Sequence, residues 1–559
     1  MDILIYSTLT NFIYFCSGYI VLSKKKLSIE NCFYIFFIGF ISLSFTGLFF
    51  NFFIELSPLF NSIIYIIIMF LFIIKVKFKF KFNKRVILFL IISSISTFLL
   101  IIYSNVNRPD AGLYHLPYIS LLNENKIILG INTIHSRFAH TSILQYLSAL
   151  NNNYLFTNNG ISIPLASIVS FFYIYFFNDV LRVIKKKDYI TYAKIFSLLI
   201  IIYVSYKINR YSGFGNDAIA HLSFFYLISY FLKSNLKNIN LNKLTIISVF
   251  IFINKPMLGL VFIIPLFIFF FNKHYQIKKL LLIIFSFPTL FLLLWFLKNI
   301  LISGCMIYPL KITCIKNLPW TNTIEIANDS LQGSAWSKAW PDRIDKNISM
   351  YEYNKNFNWV KSWSKVHLKY ILKIIIPFVL ILFLITFYFR LKISDIKISN
   401  DKSFKIKINF LLAFCLLGLI SFFLIFPIYR YGYSYLITFF CLLTIYFNRN
   451  KITSKDNMII FKLVFVICIF IISVKQIIKI PKNYLKKRSW IIFQYIVKYK
   501  KLPDVSGISG PRSLWRAMRS GGHFAIFLFN RWANRDADAD RMTFASVLQI
   551  IAENTPVTG

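Results

Sequence analysis

The chain has 559 residues, of which 57% are apolar and 19% aromatic, and 63 lysines and arginines face only 21 aspartates and glutamates. So apolar a composition excludes a water-soluble globular domain of this length. The positive charge does not indicate a nucleic-acid partner, because the lysines lie in short clusters between apolar runs rather than on one basic face. The composition therefore predicts an integral membrane protein.

Apolar runs suited to a bilayer recur from the first residues to about residue 474. A spanning helix needs about 20 mostly apolar residues to cross a hydrocarbon core about 30 Å thick. The runs predict an all-α, polytopic transmembrane helix bundle with about 12 to 14 spans. The predicted spans are 5–22, 31–55, 57–76, 86–103, 160–183, 189–206, 216–233, 244–254, 256–272, 280–302, 367–390, 408–427, 433–447 and 457–475. The runs 244–254 and 256–272 are each short for a span, and the two together are suited to form a broken or re-entrant hairpin instead.

The basic clusters set the predicted orientation. Cytoplasmic loops carry an excess of lysine and arginine, so the clusters are placed inside and both termini outside. They are residues 24–26, 75–85, 185–187, 233–243, 273–279, 392–407 and 451–455. Only the basic stretch 475–501 falls outside, against the rule. This topology predicts two long outer loops, 104–159 and 303–367.

The first outer loop carries the main candidate for catalysis, Asp110. An acid at the membrane surface is partly desolvated, which suits it to act as a general base. His115, His135 and Arg137 follow in the same loop and are candidates for binding a phosphate. A structural alternative is that Asp110 caps a helix beginning at Ala111.

Three further residues near the predicted outer surface are candidates for substrate binding: Asp217, Lys255 and Arg430. Each also has a structural interpretation. Asp217, or Asn216 before it, is suited to cap the next span. Lys255 precedes Pro256 and is suited to extend its ammonium group toward the headgroups. Arg430 lies between two spans, where an arginine often serves as an interfacial anchor.

The second outer loop contains two cysteines and many tryptophans. Cys305 and Cys314 lie in a compartment where disulfides persist, so a structural bridge between them is predicted. The tryptophans are interpreted either as platforms for sugar rings or as anchors at the headgroup level. They are Trp320, Trp336, Trp340, Trp359 and Trp363.

Two other features limit the functional assignment. No Cys or His pair has metal-ligand spacing such as Cys-x-x-Cys, so no metal or other cofactor is predicted. Lysine disappears after about residue 502. We therefore predict a membrane domain over residues 1–502 and a compositionally foreign tail over residues 503–559, to which no function is assigned.

The first outer loop also resembles a known family. Asp110-Ala-Gly-Leu-Tyr-His115, followed by Ile131-Asn-Thr-Ile-His-Ser-Arg-Phe138, is similar to the first outer loop of bacterial proteins related to the GT-C glycosyltransferases. These lipid-linked-sugar enzymes include the protein mannosyltransferase and aminoarabinose transferase relatives. The resemblance extends to Asn254-Lys-Pro256 and to Ser303-Gly-Cys-Met-Ile-Tyr-Pro309. In that family the acid follows the first span, whereas here it follows the predicted fourth.

The resemblance implies a helix bundle with an inverting sugar transfer at its outer face. The donor would be a polyprenyl-phosphate-linked sugar, the acceptor an envelope glycan, lipid or protein, and the location the bacterial inner membrane. The loop acid is the usual candidate base in that family, and Asp110 is the matching residue here.

Two alternatives to a transferase remain. One is a transporter of lipid-linked sugars, which is expected to show internal repeats and charges within its spans. The sequence shows no repeat and few such charges. The other is an O-antigen-type polymerase, which would also use a large outer loop, so the sequence leaves it open beside the transferase.

Overall fold

The computed structural model describes most of the membrane domain. The described residues are 2–22, 29–76, 83–102, 110–185, 189–207, 214–272, 286–355, 357–392, 402–448 and 458–484. The predicted tail, 503–559, and most of the basic stretch 475–501 lie outside them.

The described part of the chain is helical throughout, without a β-strand. Its α-helices are α1 (Asp2–Leu22), α2 (Ile29–Asn51), α3 (Pro58–Val76), α4 (Lys84–Ile101), α5 (Leu116–Glu124), α6 (Ile143–Leu150), α7 (Ile163–Ile184), α8 (Tyr192–Lys207), α9 (Asp217–Lys233), α10 (Leu241–Asn254), α11 (Ile263–Phe271), α12 (Phe287–Ser303), α13 (Thr323–Ser337), α14 (Met350–Asn354), α15 (Val360–Trp363), α16 (Lys369–Lys392), α17 (Lys402–Ile425), α18 (Tyr433–Phe447) and α19 (Met458–Tyr484).

The helices confirm the all-α class and suit a bilayer. Within the described ranges, eight are long and apolar enough to cross a membrane, and shorter apolar helices accompany them. Each predicted span overlaps a helix, while the number that cross a bilayer stays a prediction. Exposed apolar side chains cover the outward faces of α3 and α4, for example Ile66, Phe70 and Leu88. These faces are suited to contact acyl chains.

Close packing of α1 against α2 depends on two glycines. A β-carbon on Gly18 would overlap the backbone carbonyl of Ile35, and one on Gly39 would overlap that of Tyr14. Small residues at such crossings let two helix backbones approach in a membrane, where packing rather than water exclusion drives association. The pair therefore fixes where α1 and α2 cross.

Both predicted outer loops pack at one end of the bundle, which we call the loop end. Asn61, at the start of α3, donates hydrogen bonds to two backbone carbonyls of segment 110–162. The second long segment, 304–368, meets the first where the rings of Tyr308 and His140 lie 5.2 Å apart. Segments far apart in the sequence thus share one surface.

Candidate functional site

Two ion pairs converge on Asp217 at the loop end. The Lys255 ammonium group contacts one carboxylate oxygen of Asp217, and Arg430 Nε lies 3.4 Å from the other. Both cations also contact the ring of Tyr431. Lys255 Nζ is 3.7 Å from its centroid, and Arg430 Cζ is 5.6 Å from it. We call these four residues the Asp217 cluster, in which charge pairing and cation–π contacts act together.

The ends of α9 and α10 place Asp217 beside Lys255. Proline disfavours a helical conformation in the residue before it, so α10 ends before Pro256 and Lys255 is extended, with φ −151° and ψ 90°. The side-chain amide of Asn216 donates a 2.7 Å hydrogen bond to the Asn254 carbonyl. This bond ties the start of α9 to the end of α10.

The structural interpretations of Asp217 and Lys255 are wrong. Asn216 makes no side-chain cap bond to α9, and the Asp217 carboxylate faces cations instead. The Lys255 side chain is only 6% exposed and ion-paired, so it does not extend into the headgroups. Arg430 is held by Asp217 and is one-third exposed, and its interpretation as an interfacial anchor stays a prediction.

Asp110 lies immediately before a π-helical turn, Ala111–His115, and does not cap it. Its backbone is itself helical, and its side chain accepts no hydrogen bond from the turn. Burial raises the pKa of Tyr114, and the negative charge of Asp110 raises it further. The positive charges of Arg137 and Arg430 lower the same pKa. The turn thereby holds Tyr114 within electrostatic range of Asp110, Arg137 and Arg430.

His115 is buried and neutral near pH 7. Burial lowers the pKa of His115 to about 4, more than Asp110 and Asp217 raise it. The Gln145 amide oxygen accepts the backbone N–H of Ser142 at 2.7 Å, so its nitrogen donates to Nδ1 of His115, 3.1 Å away. The His115 proton is therefore on Nε2. His115 is suited to donate a hydrogen bond, but it adds no positive charge for a phosphate.

His135 and Arg137 have different positions in the first loop. His135 Nδ1 accepts the backbone N–H of Arg137 at 3.0 Å and caps the short helix Ser136–His140. No described contact brings His135 to the Asp217 cluster. The Arg137 side chain is exposed, and its guanidinium group acts electrostatically on Tyr114.

The second long segment is closed at its start by the predicted disulfide. The sulfur atoms of Cys305 and Cys314 lie 2.01 Å apart, at the distance of a disulfide bond. Between them the Tyr308 hydroxyl donates to the carboxylate of Asp329 on α13. The disulfide and this hydrogen bond thus fix the start of the segment against α13.

Trp359 and Trp363 form a small core, and neither predicted role of the tryptophans applies to them. Both are buried and pack with Tyr353, and both rings contact Phe423 of α17. The Trp363 indole N–H donates a 2.5 Å hydrogen bond to the Pro427 carbonyl. This core braces the turn that carries Arg430. Among the other tryptophans, Trp320 binds the Ile300 carbonyl and Trp336 is 62% exposed.

The sequence analysis missed a buried lysine. Lys298 lies on the apolar helix α12 with its side chain fully buried. Its ammonium group donates a 3.1 Å hydrogen bond to the Thr141 hydroxyl, and no carboxylate of the described residues pairs with it. A charged residue inside a predicted span often has a function, so the position of Lys298 within 280–302 could have identified it as a candidate.

The described part of the chain contains no group of three His, Cys, Asp or Glu side chains able to hold a metal ion.

Comparison with known proteins locates the chain in a family. Neither the curated proteins nor the solved structures gave a match. The model of the family described as "Domain of unknown function (DUF8201)" matches residues 1–437, a range that includes Asp110 and the whole Asp217 cluster and excludes the tail. The chain therefore belongs to this family of unknown function.

Proposed function

We propose that the protein is a membrane glycosyltransferase. It moves a sugar from a polyprenyl-phosphate-linked donor to an envelope glycan, lipid or protein acceptor. The loop end would face the extracytoplasmic side of the bacterial inner membrane. The proposal rests on one observation together with the loop resemblance: Asp110 lies within electrostatic range of the cations Arg137 and Arg430 around Tyr114.

The charge of this site suits an anionic donor. Three cations, Arg137, Lys255 and Arg430, are matched by two carboxylates, Asp110 and Asp217, which leaves one positive charge in excess. Arg430 uses its Nε for Asp217, and its two terminal amino groups make no hydrogen bond to a described residue. A planar guanidinium group in this state is suited to a bidentate contact with phosphate oxygens.

Asp110 is the residue best suited to accept a proton. Its carboxylate makes no hydrogen bond or ion pair with a described residue, whereas Asp217 is occupied by two cations. A base must reach the proton that it abstracts, and an unengaged carboxylate has the freedom to do so. Asp217 then holds Lys255 and Arg430 in place rather than reacting.

The reaction follows from these roles. Asp110 takes the proton of the acceptor hydroxyl as its oxygen attacks the anomeric carbon. The bond from that carbon to the phosphate oxygen breaks, and the polyprenyl phosphate leaves with the bonding electrons. Arg430 and Arg137 stabilise the negative charge that develops on the phosphate. His115 Nε2–H is a further neutral donor at the site.

The test compares envelope glycans and lipid-linked sugars by mass spectrometry in a deletion strain. The strain is complemented with wild type, Asp110→Asn or Glu124→Gln, the last an exposed acid of the same loop that serves as a matched control. We expect a sugar that is missing in the deletion to return with wild type and with Glu124→Gln but not with a normally inserted Asp110→Asn protein.

Three other outcomes would contradict the proposal. Full restoration by Asp110→Asn would show that this carboxylate is not the base. An unchanged sugar composition of every glycan and lipid in the deletion strain would favour the transporter. Shorter chains of unchanged sugar composition would favour the polymerase.

A further inference from the structure

We propose that the hairpin closed by Cys305 and Cys314 lies on the bilayer surface at the loop end and inserts apolar side chains among the phospholipid headgroups. The hairpin would hold the second long segment against the membrane. This inference does not depend on the proposed reaction, because it concerns a surface outside the Asp217 cluster.

Four apolar side chains of the hairpin and its flank are exposed. Ile312, near the tip, is 94% exposed, and Met306, Leu310 and Ile315 are between 42% and 44% exposed. Single exposed apolar residues are common on protein surfaces. Four of them within ten residues of a short, closed loop form a patch instead.

The hairpin is fixed directly against the end of an apolar helix. α12 ends at Ser303, and Gly304 turns the chain with φ +77° where the Thr321 side chain leaves no room for a β-carbon. The Ile315 N–H donates to the Gly304 carbonyl at 2.8 Å. The Met306 N–H donates to a carbonyl of the opposite arm at 3.0 Å. The patch therefore cannot lie far from the depth at which α12 leaves the apolar region.

The helix that precedes the hairpin, α12, carries an exposed apolar stripe. Leu290, Leu293 and Leu297 lie on one helical face and are exposed, while Phe291 and Trp295 on the opposite face are buried. An exposed apolar stripe on a membrane helix contacts lipid. Because the hairpin directly follows a helix with a lipid-facing stripe, lipid is favoured over a protein partner as the occupant of the hairpin surface.

The charges of the hairpin sequence match the headgroup region, and Asp329, the acid of α13 that meets the hairpin, is engaged by the Tyr308 hydroxyl. The sequence between Ser303 and Asn322 contains no acidic residue, and Lys311 and Lys316, beside Ile312 and Ile315, are both exposed. Lysines that flank inserted apolar side chains bind lipid phosphates. The apolar tip thus matches the acyl-chain boundary of the bilayer, and its flanking lysines match the phosphate layer above it.

The experiment measures lipid contact by photo-crosslinking in the full-length protein. The photoreactive residue benzoylphenylalanine replaces Ile312 or, in a second variant, Leu310. The protein is reconstituted in bilayers of phosphatidylethanolamine and phosphatidylglycerol, irradiated, and digested for mass spectrometry. Ile344 provides the matched control, since it is an exposed apolar residue of the same segment, half-exposed and surrounded by charged neighbours.

We expect phospholipid adducts at positions 312 and 310 at a yield several-fold above that at position 344. Yields at 312 and 310 equal to the control would overturn the proposal. Crosslinks from either position to the protein itself, in place of lipid, would also overturn it. Because no transfer activity is measured, failure here leaves the proposed function untouched.

Discussion

The bundle carries an ionic cluster at each end of α9, and the two differ in how fully their charges are satisfied. At the end away from the loops, Lys233 lies 2.7 Å from Asp179 and 2.9 Å from Glu30. Asp179 is completely buried, and its second oxygen accepts the Ser197 hydroxyl at 2.7 Å. Every charge of this cluster has a partner on a neighbouring helix, as expected of a contact that holds helices together.

The cluster at the loop end, about 24 Å away along α9, is built from the same residue types but is left open. Asp217 is shared by two cations, and Asp110 and Arg137 nearby make no ion pair with a described residue. Burying unpaired charge is costly, so charges without partners persist where water or a ligand reaches them. The comparison indicates that the closed cluster supports the fold, whereas the open one suits the ligand-binding role proposed above.

The largest effect on stability is expected from Asp179→Asn. The change leaves Lys233 with one exposed partner, Glu30, in a buried position, and removal of one member of a buried pair costs about 3 kcal/mol. Unfolding in detergent micelles measures the loss. The control Asp345→Asn removes an exposed acid and should change stability by less than about 0.5 kcal/mol. Equal results for the two variants would mean that the closed cluster does not hold the bundle.

A smaller effect is expected from His115→Gln, and only in acid. The folded pKa of His115, about 4, is below its ordinary value of 6.5. The unfolded chain therefore binds more protons between these values, and stability falls as pH drops through that window. Between pH 7 and pH 5 the loss from His115 is about 2 kcal/mol.

Unfolding of wild type and His115→Gln at both pH values checks this expectation. Glutamine keeps a polar group beside Gln145 and has no proton to gain, so the variant should lose less stability on acidification than wild type. A pH dependence identical in the two proteins would show that His115 is not held neutral by burial.

The smallest effect on stability is expected from Lys255→Met, with a large effect on function. Methionine fills a similar volume, and Asp217 is one-quarter exposed and keeps Arg430, so the free energy of unfolding should change by about 1 kcal/mol or less. The proposed sugar transfer should be lost in the complementation assay. Lys126→Met, at an exposed lysine of the first loop, is the control. A stability loss as large as that of Asp179→Asn would make the Asp217 cluster a second structural clamp.

Local features of the sequence predicted the helices and several contacts correctly. The bridge between Cys305 and Cys314 follows from their shared loop, and the interruption at Lys255 follows from Pro256. Each of these outcomes depends on composition or on a few adjacent residues.

The errors arose where a residue's partner lies far away in the sequence. The structural interpretations of Asp217, Lys255 and Arg430 each considered only the helix end nearest to the residue. In the structure the three side chains form ion pairs with one another between segments that are far apart in the sequence. The charge state of His115 likewise depends on distant segments, because their packing buries the ring and lowers its pKa to about 4. The tryptophans of the second segment were assigned to sugar or lipid, and a turn 64 residues away provides the carbonyl that binds Trp363.

The sequence by itself determined that this protein is an all-helical bundle suited to a membrane, with two long polar segments and a cysteine pair in one of them. Hydropathy and helix breaking depend on residues within one turn to one span of each other, so both can be recognised in the sequence. Only the tertiary structure decided that Asp217 joins Lys255 and Arg430, and that, within the described ranges, Asp110 makes no ion pair and the buried Lys298 meets no carboxylate. Ion pairing and desolvation depend on distances of a few ångströms between distant segments, and those distances exist only once the helices have packed.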